Sequence, residues 1–186
     1  MSGLETTSDG DLLRRMLAGS EPAFTALYRR YQGRLYRFAI HMSGNAAVAE
    51  EATQEVFLAL LREGARYDSG RGSLEQFLYG VARKQVLRHL EKDRRRENEE
   101  DVAEMAGGDD VLGDLTRKET IGLLRKAVLS LPARYREVVV LCEMQEMDYA
   151  SAAAVLGCAV GTVRSRLSRA RALLAEKLRA SKGCLA

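Results

Sequence analysis

Apolar residues recur at spacings of three and four along most of this 186-residue chain. That period is typical of amphipathic helices, whereas a half-buried strand would alternate apolar and polar residues one by one. The chain has two prolines, and its glycines lie mainly between the periodic segments. We therefore expect an all-α fold in which short turns join the helices.

The first two predicted helices are separated by Gly19. The first helix spans about 9–18. Ser20 is a predicted N-cap of the second helix. Pro22 fits the first turn of that helix, because backbone N–H groups there have no partner within the helix and proline has none to offer. The core stripe of this second helix is expected to consist of Phe24, Leu27, Tyr28, Tyr31, Leu35, Phe38 and Met42.

Two further helices complete the first half. One is predicted over 46–63, a loop follows over 64–72, and Ser73 can cap the next helix, which has an apolar face and a basic far end. Four helices with apolar stripes of this length can close a small bundle. We assign this bundle to a first domain over 1–96. The inward residues expected in the 46–63 helix are Val48, Ala52, Val56, Ala59 and Leu60.

Residues 97–114 break the helical pattern. The segment holds eight carboxylates, three glycines and no Lys or Arg. So few large apolar groups cannot bury enough surface to offset the entropy cost of ordering the chain. The net charge of this segment is −8, against +4 for 1–96 and +7 for 115–186. We therefore predict an acidic flexible linker between two basic domains, a charge pattern that suits a polyanionic partner but also fits a solvated mixed-charge surface.

The second domain, expected over 115–186, ends in a helix-turn-helix pattern. One helix is predicted over 115–129, and Pro132 opens another. Asp148 caps a short helix that Gly157 can end in a left-handed conformation, and a last helix follows at once. Two helices joined by so tight a turn are the outline of a DNA-binding helix-turn-helix.

The last helix carries arginines opposite an apolar stripe. Its buried stripe is predicted to be Val160, Val163, Leu167, Ala170, Leu174 and Leu178. The opposite face bears Arg164, Ser165, Ser168 and Arg169. A helix fits the major groove, and the forked donors of arginine suit guanine edges and phosphates. Thr162, near the helix start, either caps the helix or donates to a phosphate. The alternative is a surface helix whose arginines are merely solvated.

The chain offers little for catalysis or metal binding. Its three cysteines and two histidines show no metal-ligand spacing, and we expect Cys142 and Cys158 to be small core residues. There is no catalytic cluster and no glycine-rich phosphate loop. We therefore expect no enzymatic activity, no metal and no cofactor. No secretory signal and no apolar stretch of about 18 residues is present, so we expect a cytoplasmic protein without membrane insertion.

Two sets of motifs resemble one protein family. The segments Leu-Pro-Ala-Arg-Tyr-Arg-Glu-Val-Val-Val-Leu at 131–141 and Val-Gly-Thr-Val-Arg-Ser-Arg-Leu-Ser-Arg-Ala-Arg at 160–171 resemble region 4 of bacterial sigma factors of the extracytoplasmic-function class. The segments Ala-Glu-Glu-Ala-Thr-Gln-Glu-Val-Phe at 49–57 and Phe-Leu-Tyr-Gly-Val-Ala-Arg at 77–83 resemble region 2 of the same sigma-70 family. The resemblance covers nearly the whole chain apart from the linker and the termini.

The resemblance implies two binding surfaces in the first domain. Core RNA polymerase, through the clamp helices of its largest subunit, would be bound by Glu50, Glu51, Gln54 and Glu55. Without the resemblance, these residues would be interpreted as a solvated helix face. The promoter −10 element, including a base extruded from the non-template strand, would be met by Arg66, Tyr67, Arg71, Arg83, Lys84, Arg88, His89 and Lys92.

In the second domain, the resemblance implies a promoter −35 surface. Its members would be Thr162, Arg164, Ser165, Arg166, Ser168, Arg169 and Arg171. Of these, Arg166 and Arg171 are expected on phosphates or on the flap of the second-largest polymerase subunit. The division between base and phosphate contacts stays open.

The family resemblance implies a factor that joins core polymerase and directs it to promoters, assists strand opening and is restrained by an anti-sigma factor. The acidic linker would thread through the enzyme, where it either imitates nucleic acid or keeps the segment soluble. The alternative is a stand-alone helix-turn-helix regulator that dimerises on a palindrome. That alternative leaves the acidic helix of the first domain unexplained.

Overall fold

The computed structural model describes residues 6–99 and 115–183, with side chains over 6–70, 72–92 and 121–179. These ranges contain helices and no strand, which confirms the all-α prediction. None of the helices in these ranges is long and apolar enough to cross a membrane. The helices are α1 (Asp9–Leu17), α2 (Glu21–Ser43), α3 (Ala46–Glu63), α4 (Leu74–Glu99), α5 (Leu115–Leu129), α6 (Ala133–Val139), α7 (Tyr149–Leu156) and α8 (Val160–Gly183).

Local capping explains why several helices begin where the sequence predicts. The Ser20 hydroxyl accepts from the Ala23 N–H at 3.4 Å, at the start of α2. At the start of α4, Ser73 and Gln76 form a reciprocal capping box, in which each side chain accepts from the backbone N–H of the other. The Asp148 carboxylate accepts from the N–H groups of Ala150 and Ser151 in α7. A hydrogen bond with the Ser151 side chain, helped by these backbone bonds, lowers its pKa. Helix starts are therefore set by contacts within four residues.

The last helix of the first half extends past residue 96, and the domain bounds themselves stay a prediction. Helix α4 runs without a break to Glu99, so the first three residues of the predicted acidic linker are helical. These residues are Glu97, Asn98 and Glu99, which follow the basic run Arg94–Arg96, and glutamate is a good helix former. The rest of the predicted linker, 100–114, lies outside the described residues.

The two halves of the chain pack against each other. Buried residues of α1–α4 and of α5–α8 form one continuous hydrophobic cluster. Arg136 of α6 reaches across and donates from Nη1 to the Met42 carbonyl at 2.5 Å. Its other end bonds the carbonyls of Leu129 and Leu131, and burial lowers the pKa of this guanidinium. One arginine therefore ties the end of α2 to the turn between α5 and α6.

Gly44 lies at the same junction, and we predict that Gly44→Ala destabilises the protein. Gly44 ends α2 with φ at 72°, and a Cβ there would lie 2.9 Å from the Leu129 Cδ1 of the second half. Left-handed backbone costs a side-chain-bearing residue about 1–2 kcal/mol, and the close contact adds to this. We expect a loss of about 2 kcal/mol or more in the free energy of unfolding, measured by urea denaturation.

Gly33→Ala is the matched control, because Gly33 lies inside the same helix and its nearest neighbour, Arg37 Nη1, is 3.8 Å away. Alanine is favoured over glycine in a helix interior by up to about 1 kcal/mol. Equal effects of the two substitutions on the urea midpoint would contradict the conclusion that the backbone and surroundings of Gly44 exclude a side chain.

Candidate nucleic-acid interface

The arginine-bearing helix is α8, and its apolar face is buried as predicted. Val163, Leu167 and Ala170 are buried against α6 and α7, and Leu174 is partly buried beside them. Ala152 and Ala153 of α7 are also buried in the same cluster. Opposite them, the predicted −35 side chains of Arg164, Ser165, Ser168, Arg169 and Arg171 are exposed, and Arg166 is half-buried.

The position at which α8 starts contradicts one of the two roles predicted for Thr162. The helix begins at Val160, and the Ala159 carbonyl accepts from the N–H groups of Thr162 and Val163 at 2.9 and 3.2 Å. The N-cap position is therefore Ala159, and the prediction that Thr162 caps the helix is wrong. The Thr162 carbonyl accepts from the Ser165 hydroxyl at 3.1 Å. A phosphate contact of Thr162 stays a prediction.

Two of the exposed arginines are oriented by residues that precede α8. The Arg164 guanidinium lies 5.9 Å from the ring centroid of Tyr149. Arg171 pairs with Glu143, with its Nε donating to Oε1 at 3.1 Å, and this hydrogen bond raises the pKa of the guanidinium further. Arginine side chains that are already restrained lose less conformational entropy when they bind a target.

Arg169 has a comparable neighbour in α6. A hydrogen bond with Arg169 lowers the pKa of the Tyr135 hydroxyl, helped by the positive charge of Arg134. The Arg134 guanidinium itself lies 4.8 Å from the Tyr135 ring centroid. Arg134 therefore extends the basic face of α8 onto α6. Sequence reasoning did not include Arg134, Tyr135 or Tyr149 in the site, although their aromatic and basic side chains lie at the starts of the preceding helices.

The predicted −10 residues of α4 fall into two groups. Lys84, Arg88 and Lys92 are exposed, and Arg88 donates to the neighbouring Gln85 amide at 3.1 Å. Arg83 and His89 are half-buried and face carboxylates. Their partners are Glu137 of α6 for Arg83, at 2.7 Å, and Glu51 of α3 for His89, at 3.3 Å.

The predicted base-capturing loop contains two short 3₁₀ turns, Gly64–Arg66 and Ser69–Arg71. The Tyr67 hydroxyl donates to the Gly72 carbonyl at 2.8 Å, and its ring lies 6.0 Å from the Phe77 ring. The Arg66 side chain is exposed. The side chain of Arg71 lies outside the described part. The Tyr67 hydrogen bond thus ties the middle of the loop to its last residue, Gly72.

The predicted polymerase-binding residues form an acidic face on α3. Glu50, Glu51 and Gln54 are exposed, and Glu55 is half-buried. Gln54 also borders an apolar groove of about 270 Å³ between α2 and α3. The other residues that line the groove are Phe24, Tyr28, Thr53, Phe57, Leu58 and Leu61.

Sequence reasoning missed this groove because it placed Tyr28 in the core. Tyr28 is 41% exposed, and its ring lies 4.7 Å from that of Phe57. Leu58 and Leu61 are 39% and 52% exposed. A signal was available in the sequence, since Leu58 and Leu61 fall outside the inward stripe predicted for this helix. Contiguous exposed apolar side chains mark interaction sites more often than single scattered ones do.

The described part of the chain contains no candidate metal centre. No group of three or more His, Cys, Asp or Glu side chains gathers suitably within the described ranges. Cys142 and Cys158 are half-buried free thiols that pack against the core, and burial raises the pKa of Cys142. Both cysteines therefore serve as small packing residues.

Two family models match the chain. The model described as Sigma-70 region 2 matches residues 27–96, and the one described as Sigma-70, region 4 matches residues 121–174. The first match includes the acidic face of α3, the loop and α4 up to Arg96. The second includes α6, α7 and the arginines of α8.

Relatives with curated functions agree with these matches. The ECF RNA polymerase sigma factor SigM of Mycobacterium tuberculosis is 33% identical over 178 residues, which are 95% of this chain and 87% of that protein. SigE of Mycolicibacterium smegmatis, also an ECF RNA polymerase sigma factor, is 32% identical over 84% of this chain, which spans 62% of that longer protein.

Among solved structures, the sigma factor RpoE from Bartonella quintana, in complex with the anti-sigma factor NepR, is 28% identical with a TM-score of 0.69. That similarity covers 84% of this chain and 96% of the RpoE chain. This chain therefore belongs to the extracytoplasmic-function class of the sigma-70 family, the sigma factors that direct RNA polymerase to promoters.

Proposed function

We propose that promoter recognition uses three surfaces of this protein. The exposed face of α8 reads the −35 element, the basic side of α4 with the 64–72 loop meets the −10 element, and α3 docks on core polymerase. The observation that carries this proposal is the groove beside the acidic face of α3. It exposes apolar side chains, and none of the residues that line it belongs to either basic set.

The chemistry of the α3 surface suits the clamp helices of the largest polymerase subunit. Glu50, Glu51, Gln54 and Glu55 can accept hydrogen bonds from arginines of a partner, and such charge-assisted bonds are short and directional. The adjacent groove can take an apolar side chain of the same partner helix. Acidic and apolar contacts together favour a partner helix that is both basic and amphipathic.

The −10 surface is proposed to hold an opened strand. Extruding a base costs a few kcal/mol, which cations along the backbone and a pocket for the base can offset. Lys84, Arg88 and Lys92 supply exposed cations, and the loop closed by Tyr67 supplies the pocket. The chain itself forms and cleaves no bond in this process, so specificity is its whole contribution.

Domain bounds, partners and location complete the proposal. We assign region 2 to 1–96, the linker to 97–114 and region 4 to 115–186. Arg166 and Arg171 are proposed to contact phosphates or the polymerase flap.

Because polymerase and promoter are the partners of this protein, we place it in the cytoplasm. The RpoE structure contains the anti-sigma factor NepR, and we propose an anti-sigma factor as a partner of this chain too.

The experiment mixes the purified chain with core RNA polymerase and measures the complex by gel filtration and by equilibrium binding. We expect a stable complex for the unaltered chain. Leu58→Ala combined with Leu61→Ala should weaken it by about tenfold or more, since each truncation removes an apolar contact worth roughly 1 kcal/mol. The free energy of unfolding should change little because both residues are largely exposed.

Leu124→Ala is the control. Leu124 is 41% exposed in α5 of the second half, so the same chemical change is made away from the groove. The proposal fails if the unaltered chain forms no complex with core polymerase but binds promoter DNA tightly by itself. That result would favour the stand-alone regulator.

A further inference from the structure

A polar cavity of about 350 Å³ lies between α2 and the segment that joins α6 to α7. It shares no residue with the groove beside α3 and none with the surfaces proposed for promoter and polymerase. A cavity of this volume is at the small end of the range for ligand-binding sites. The residues that line it are Arg34 and Arg37 of α2, with Met144, Gln145 and Glu146 of the joining segment.

Gln145 brings an unsatisfied hydrogen-bond donor to this cavity. The residue is 6% exposed, and its Oε1 accepts from the Tyr79 hydroxyl at 3.0 Å. Burial raises the pKa of Tyr79 to about 12, so this hydroxyl is protonated and donates at neutral pH. Gln145 Nε2 is buried and has no hydrogen-bond partner among the described residues. Leaving a buried amide donor unpaired is costly, and an acceptor on a ligand would remove that cost.

The two arginines supply further donors and positive charge. Arg34 Nη2 pairs with Glu75 Oε1 of α4 at 2.6 Å. Arg37 is exposed, and within the described ranges it forms no ion pair or hydrogen bond. Burial, helped by the positive charges of Arg125 and Arg37, lowers the pKa of His41 one turn further along α2. The charge of Arg37 therefore acts on its surroundings without a carboxylate to neutralise it.

These groups favour an anion, and a phosphate group in particular. Guanidinium groups bind phosphate and carboxylate oxygens through paired, charge-assisted hydrogen bonds. The oxygens of a phosphate point in several directions, so one group can meet donors of α2 and Gln145 Nε2 at once, whereas a planar carboxylate presents a single edge. The Glu146 carboxylate opposes an anion, but its side chain is exposed and water screens its charge.

We infer that this cavity binds a small phosphate-bearing anion, held by Arg34, Arg37 and Gln145 Nε2. The site goes beyond the proposed function and does not depend on it, because it uses none of the residues assigned to promoter or polymerase. The anion contacts both α2 and the segment before α7, which lie in different halves of the sequence. Its binding therefore adds to the stability of the folded chain.

The test titrates the full-length chain with inorganic pyrophosphate and measures affinity by isothermal titration calorimetry. In parallel, NMR of protein labelled with ¹⁵N-glutamine follows the side-chain amides. The chain has five glutamines, and the signal absent from Gln145→Glu belongs to Gln145. We expect one binding site and a shift of the Gln145 signal at saturation. A second titration with ADP distinguishes the sources of the phosphate: tighter binding than pyrophosphate assigns the site to nucleotides, and weaker binding assigns it to the inorganic anion.

Three variants should change the affinity for pyrophosphate in different directions. Arg37→Gln should weaken binding about tenfold or more, since it removes a charged donor without breaking a bond of the folded chain. Gln145→Glu keeps the acceptor for Tyr79 and replaces the free donor with an oxygen, so it should abolish binding. Glu146→Gln removes the opposing charge and should tighten binding about threefold. Arg29→Gln is the matched control, because Arg29 is exposed on the same helix but lies outside the cavity.

The inference is overturned if pyrophosphate leaves the Gln145 signal in place, or if Arg29→Gln weakens binding as much as Arg37→Gln. The anion would then bind the basic surface without a particular site. It is also overturned if a single-stranded oligonucleotide binds in a way that depends on Arg37 while neither small anion binds. Circular dichroism establishes folding, and the variants of Arg37 and Glu146 keep the test decisive should Gln145→Glu unfold. Failure of the proposed function is seen separately, as the absence of a complex with core polymerase.

Discussion

Replacing Arg164 and Arg169 together with alanine is expected to reduce promoter-specific transcription by about thirtyfold or more. Both side chains are exposed on α8, and each is positioned by an aromatic residue of a preceding helix. An arginine that contacts a base or phosphate contributes about 1–3 kcal/mol, so two such losses give this minimum. Run-off transcription with reconstituted polymerase on an induced promoter provides the measurement.

The same double variant distinguishes base contacts from phosphate contacts. Loss of base contacts relaxes selectivity at particular −35 positions, whereas loss of phosphate contacts lowers affinity evenly and reduces the salt slope by about one per contact. Arg179→Ala is the control, since Arg179 is an exposed arginine further along α8 that bonds the Ala175 carbonyl. A double variant as active as this control would contradict the −35 assignment.

Leu167→Ala is expected to cause the largest loss of stability. Leu167 is 2% exposed and lies on the face of α8 that packs against α6 and α7. Truncating a buried leucine costs about 2–5 kcal/mol through lost burial and the cavity left behind. Since natural domains are stable by about 5–15 kcal/mol, such a loss would leave α8 poorly anchored. Urea denaturation of the full-length chain gives the measurement.

Leu61→Ala makes the same change at a residue that is 52% exposed. Its effect on the free energy of unfolding should be within about 0.5 kcal/mol, while we expect it to weaken binding to core polymerase. The two leucine variants therefore separate loss of fold from loss of a docking contact. Similar unfolding energies for both would show that the apolar stripe of α8 is not the anchor of the helix-turn-helix.

Much of the fold was predictable because helix ends depend on neighbouring residues. Ser20, Ser73, Asp148 and Gly157 act within one turn, so their residue types indicate the boundaries that the structure shows. The end of α4 was less predictable. Its last residues are polar helix formers, and such residues fit a helix end and a linker equally well.

The functional surfaces were only partly predictable, for a different reason. The 3.6-residue period separates the buried side of α8 from its arginines, and that separation is correct. It does not locate the edge of an apolar stripe, because such stripes are more than about 100° wide. Tyr28 lies at an edge, so the period alone placed it in the core and concealed the groove beside α3.

The sequence by itself determined most helix bounds, the buried side of each helix and the family to which the chain belongs. All of these depend on spacings of a few residues, within which side chains meet regardless of the rest of the fold. Only the tertiary structure decided which polar side chains bond to a residue of the other half. Arg83 and Glu137 are 54 positions apart, and Tyr79 and Gln145 are 66 apart. Such pairs arise from the docking of two helical halves, which no local period encodes.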